Sequence, residues 1–246
     1  MTLQNPAHPS LQAIALGAEF SDLEEGARYA LLQRLAPALQ HHMMGKFQSM
    51  DMIAAMMERR LKSADPDLAS IREDCASLSS VSRIAVRSIM DLMTWIEPKA
   101  ASTLSFDAGV VECLGLLSTE FRFKGFVIVN EAREIDVKLS SRALRSVLSA
   151  ALIALSDLSK VSATLVIRAQ AMPDRVELTI DLRPTERDTK RAYVTDSRAL
   201  KWRDVEILAL AESVQLERGD TGAQLTFALP AANADLPGDL FVGTGI

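Results

Sequence analysis

Two adjacent histidines, His41 and His42, are the side chains best placed for nucleophilic chemistry in this chain. An imidazole near its free pKa is largely neutral at cytoplasmic pH and can attack an electrophile. Around them the apolar residues Leu32, Leu35, Leu39, Met43, Phe47, Met50, Ala54, Met57 and Leu61 recur at three- and four-residue steps, as a packed helical seam requires. At about 100° per residue, His41 lies roughly 200° round the helix from Leu39 and is expected to point to solvent. An outward histidine on a rigid helix can react with a partner that is brought to it.

Other reactive side chains carry less. His8 lies in a proline-flanked stretch and is expected to be solvated. Cys75 and Cys113 have neither a pairing pattern nor metal-ligand spacing, so free, mostly buried thiols in a reducing compartment are expected. Trp95 and Trp202, on helical positions, read as packing anchors.

The elements that must position His41 follow from periodicity and punctuation. Residues 1–20 contain Pro6, Pro9 and Gly17 and read as a lead-in or a short extra helix. Ser21 with Glu24 forms a capping-box signature opening a helix to about Lys62, which Pro37 should kink one turn before His41. A turn at residues 65–67 precedes a second helix carrying Leu68, Ile71, Cys75, Leu78, Ala85, Ile89, Leu92 and Ile96. The two helices form an antiparallel hairpin over residues 21–98. Two helices cannot enclose the wide apolar stripe of Met43, Phe47, Met50, Ile53 and Met57, so a second copy completing a four-helix bundle is expected.

The composition changes at residues 98–102, which read as a linker. Residues 103–230 then alternate helices (107–120, 140–158 and 202–214) with strands (126–130, 163–168, 175–181, 214–217 and 223–229). Ser140 or Ser141 should cap the middle helix, and residues 172–174 should turn a hairpin. Helices alternating with antiparallel strands imply a two-layer α/β sandwich, making the whole chain α+β. The charged run at residues 186–191 reads as a solvated loop and residues 231–246 as a tail.

Composition narrows the partners. With 27 basic against 32 acidic residues, a net charge of -5 and no basic stripe, nucleic acid is not an expected ligand. No signal peptide is recognisable and no apolar run reaches membrane-spanning length, so a soluble cytoplasmic protein is expected.

The order of parts resembles the catalytic core of bacterial two-component histidine kinases over about residues 21–230. That core is a dimerising hairpin with a phospho-accepting histidine, followed by an ATPase sandwich of the histidine kinase/Hsp90 type. The family's apolar places around its histidine are filled by Leu35, Leu39, Met43, Phe47 and Met50 when His41 is the acceptor, and misalign for His42.

The nucleotide-binding signature departs from the family. Ala150 and Ala154 occupy the places of the asparagines that hold Mg²⁺ and ATP phosphates, and a methyl group cannot ligate a hard cation. Asp181 falls where the family places the aspartate that binds the adenine amino group. The glycine turn after it is missing, as is a phosphate-cradling glycine loop before Trp202. His42 replaces the acidic residue that commonly follows the acceptor, and Gly45 stands where kinases that are also phosphatases keep Thr or Asn.

The resemblance therefore implies a histidine phosphotransferase that relays a phosphoryl group between response-regulator receiver domains through His41 without ATP. His42, Met44, Gly45 and Gln48 would form the docking rim. No cofactor of its own is implied, because the receiver supplies Mg²⁺. The rival readings are a non-catalytic pseudo-histidine-kinase that sequesters a signalling partner and an ATP-dependent kinase using Asp157 or Asp181.

Overall fold

Helix α1 (Leu11–Leu61) runs unbroken for 51 residues in the computed structural model, which describes residues 11–96, 102–159, 161–185 and 199–229. It starts well before Ser21, so the Ser21/Glu24 pair lies inside the helix and caps nothing. Residues 11–20 contain no proline, and once a helix is nucleated each further residue adds a hydrogen bond. Residues 11–20 of the expected lead-in are therefore helical. Pro37 lies within the helix with an exposed ring, so its missing N–H falls on the solvent side and does not end the element.

Residues 62–67 reverse the chain into α2 (Leu68–Ile96). Asp67 caps it: Oδ1 accepts from the amides of Ala69 (3.0 Å) and Ser70 (3.2 Å), and Oδ2 from the Ser70 hydroxyl (2.6 Å). These bonds, the Ser70 hydroxyl foremost, hold the Asp67 carboxyl below its usual range. On α2 only Ile71, Ala85 and Leu92 are buried apolar residues among those described, as a two-helix hairpin allows. Cys75 is exposed, against expectation, because it lies at the flank of this narrow seam.

The second part comprises β1 (Thr103–Ser105), α3 (Phe106–Phe123), β2 (Val127–Asn130), β3 (Lys138–Ser140), α4 (Ser141–Ala143), a π-helical turn (Leu144–Leu148) and α5 (Ser149–Leu158). Then follow β4 (Ala163–Ala171), β5 (Arg175–Pro184), α6 (Trp202–Ala211), β6 (Gln215–Arg218) and β7 (Gly222–Ala228). Ser140 caps α4, its hydroxyl accepting from the Ala143 amide at 3.3 Å. The turn after Met172 closes on Arg175, whose carbonyl accepts from the Met172 amide at 2.8 Å.

The main sheet has the order β2-β4-β5-β7-β6, with β1 and β3 paired separately. The β4–β5 pairing is antiparallel as expected, but β2 and β4 run parallel, with Val127 opposite Thr164. The correction has a topological cause: α4, the π turn and α5 form a crossover between them, and a crossover of that length allows parallel pairing. Gly125, at φ +77, turns the chain from α3 into β2, where a Cβ would lie 2.5 Å from the Ser162 hydroxyl.

One face of the sheet, formed by Leu165, Ile167, Leu178, Ile180, Leu225 and Phe227, packs against Phe106, Val110, Leu117 and the buried helix α5. The same core takes in Ala27, Leu31, Leu35 and Leu39 of α1. The middle of α1 thus belongs to the sandwich's helical layer, while its C-terminal half pairs with α2. Among the described residues, no helix is long and apolar enough to cross a membrane. His8, residues 98–101 of the expected linker, the charged run at 186–191 and the tail at 231–246 lie outside the described residues.

Candidate functional site

His41 is exposed on α1 beyond the part of the helix that packs on the sandwich. On an ideal helix it lies within about 20° of Arg34 and about 10 Å further along the axis. Arg34 is buried, so the cover on this face of α1 stops between the two residues. Gly45 and Gln48 continue the His41 line within about 40°, and Met44 flanks it. All three are exposed, and Met44 has 45% of its surface open.

His42 is exposed too, but turned about 100° away. It lines a cleft of about 500 Å³ between the hairpin and α3, with Asp91, Trp95, Val111, Glu112 and Arg145 around it. The Arg145 guanidinium grips Glu112 through two nitrogens, with Nη2–Oε1 at 2.9 Å and Nε–Oε2 at 3.2 Å. It also donates to the Thr94 hydroxyl at 2.7 Å and lies 5.3 Å over the Trp95 ring. Trp95 donates its indole N–H to Glu112 at 2.6 Å, so it anchors the end of α2 on α3 and also walls the cleft. Trp202 is buried under the Arg218 guanidinium, at 5.1 Å. The sequence reading missed this cleft because its walls come from segments far apart in the chain.

The residues at the expected nucleotide positions are not brought together. Ala150 and Ala154 are fully buried within α5, with no oxygen donor on either side chain. Asp181 follows the inward Ile180 on β5 and so faces the opposite side of the sheet from α5. There it pairs with Arg168, which also holds Glu131 at 2.7 Å. Asp157 accepts from Arg34 (3.1 Å), Lys124 (2.9 Å) and the Leu200 amide (3.1 Å). Among the described residues, no cluster of three or more His, Cys, Asp or Glu side chains forms a metal site.

No family model and no curated protein sequence matches the chain. Among solved structures it is similar to the histidine kinase AdeS of Acinetobacter baumannii at 16% identity, covering 75% of this chain and 98% of that one, with a TM-score of 0.39. A histidine kinase from Burkholderia phymatum STM815 superposes at 11% identity over 80% of this chain and 97% of that one, with a TM-score of 0.40. A bacterial phosphotransferase does so at 12% identity over 90% and 98%, with a TM-score of 0.36. Superpositions this loose carry no functional argument, and the chemistry rests on the residues themselves.

Proposed function

We propose that this chain is a cytoplasmic, homodimeric histidine phosphotransferase of two-component signalling that relays a phosphoryl group between receiver domains through His41 without ATP. The observation that carries the reading is an exposed His41 next to a sandwich whose expected nucleotide positions, Ala150 and Ala154, are methyl groups sealed in the core. Transfer needs in-line placement and charge neutralisation more than protein chemistry. The neutral imidazole nitrogen forms the N–P bond as the O–P bond of the receiver's acyl phosphate breaks. The electron pair leaves on the aspartate carboxylate, and the proton on the other ring nitrogen is free to pass to solvent. Mg²⁺ for this step comes with the receiver.

The exposed apolar side chains of the hairpin support a second copy. On α2, Leu68, Val86, Met90 and Met93 fall within about 40° of one line, and they are 70%, 58%, 63% and 49% exposed. Phe47 and Leu61 are likewise exposed on α1, and a four-helix bundle would cover apolar side chains of both helices.

Incubation with a phosphorylated receiver tests the reading. Wild type and His42→Ala should take up label, whereas His41→Ala should not; equal labelling of His41→Ala would remove the site assignment. The exposed Met44 beside His41 also favours a second reading, docking without chemistry. It predicts a receiver complex whose regulatory effect survives His41→Ala.

A further inference from the structure

Arg34 carries its charge into the junction between the hairpin and the sandwich, with a side chain only 2% exposed. Its Nη2 meets Glu120 Oε1 at 2.7 Å and Asp157 Oδ1 at 3.1 Å. Lys124 Nζ, just as buried, meets the same two oxygens at 2.6 and 2.9 Å. Two cations and two carboxylates thus close a neutral ring. Its members come from α1, α3, the cap after α3 and α5, and Asp157 also receives the amide of Leu200, just ahead of α6. A second tie lies lower on α1, where Glu212 beyond α6 accepts from Arg28 and from Arg142, the latter at 2.7 Å.

Apolar contact through Ala27, Leu31, Leu35 and Leu39 gives affinity between α1 and the sandwich but tolerates sliding, because one leucine replaces another. A closed ring of alternating charges tolerates no slip, since a shift by one turn would leave buried charges unpaired. Stability alone does not require such a ring, for well-packed apolar residues do as well in its place. Its specific contribution is a single docking height.

We propose that the Arg34–Glu120–Lys124–Asp157 ring is a positioning clamp: it fixes the sandwich two turns below His41, so that a partner reaching the histidine meets one defined wall. Arg34 is then a positioning residue for the transfer. This role rests on the phosphotransfer reading, whereas the clamp itself does not.

Two double variants test it, Arg34→Met/Glu120→Gln and Lys124→Met/Asp157→Asn. Each removes one charge of each sign and leaves a neutral pair, so neither buries a lone charge. Amide hydrogen exchange should accelerate at least tenfold in residues 27–39 and in α6, with the hairpin tip (residues 55–75) and strands β4 and β5 unchanged. Phosphoryl uptake from a receiver loaded with acetyl phosphate should fall at least tenfold, while direct phosphorylation of His41 by the small donor phosphoramidate stays at the wild-type rate. Wild-type exchange at the junction in both variants, or acceleration spread evenly over the chain, overturns the clamp. A loosened junction with unchanged receiver transfer overturns the positioning role. Should wild type take no phosphate from any receiver, the phosphotransfer reading falls and the positioning role with it, and the exchange readout still decides the clamp.

Discussion

Arg34 and His41 share one line of helix α1, two turns apart, the first closed inside a ring of charges and the second open to solvent. The same face of one helix is therefore buried in one stretch and open in the next.

Removing Arg34 alone leaves Glu120 and Asp157 with one buried cation between them. Arg34→Ala is expected to cost about 3–5 kcal/mol of folding stability, the loss typical of a buried pair with one partner deleted. Urea unfolding monitored by circular dichroism gives the value, and a loss below about 1 kcal/mol would mean that the ring is far more hydrated than its burial indicates.

Gly45 has open space where a Cβ would be, with nothing within 4 Å, so the helix itself does not require glycine there. Gly45→Ala should raise stability by about 0.5–1 kcal/mol, since glycine is a poor helix former. Gly45→Trp should leave the melting temperature near that of wild type and abolish receiver binding, because the rim beside His41 would be filled. Titration of both variants with a receiver domain separates the two effects.

Phe47 on α1 and Met90 on α2 are exposed apolar side chains of the hairpin, at 41% and 63% exposure. Phe47→Glu/Met90→Glu places charges where a second copy would bury them, and should convert the proposed dimer to a folded monomer. Light scattering coupled to gel filtration reads the mass; an unchanged dimer would move the interface elsewhere.

The two cysteines should differ sharply. Exposed Cys75 is expected to react with a thiol reagent at neutral pH, whereas burial pushes the Cys113 thiol from 9.0 up to about 12. Because the folded value is the higher one, the thiol's contribution is fully present below pH 9. It is then lost as pH rises towards 12, at about 1.4 kcal/mol per pH unit. Cys113→Ala should flatten that alkaline slope in denaturant titrations between pH 9 and 11.

The helices and most strands were legible because their signals are local. Leu68, Ile71 and Leu78 repeat at helical spacing within α2, and residues 65–67 carry a turn signal of their own, although the capping role of Asp67 was not read from it. The start of α1 was misread because Ser21 and Glu24 form a capping pattern that acts only where the chain before it is not already helical. The direction of β2 against β4 was not legible, since pairing is a choice between distant segments. The Arg34 ring was missed because an arginine on a helix reads as solvated and its partners lie 86 and 123 residues away. One signal was available: Arg34 falls between Leu31 and Leu35 on a face that is otherwise apolar.

The closed packing of α5 leaves no room for a longer side chain at positions 150 and 154. An asparagine at position 150 or 154 would push an amide into a space filled by neighbouring side chains, with overpacking and an unpaired polar group as the result. An oxygen donor at either position could act on a ligand only after the core had opened, so single substitutions there lead only downhill in stability.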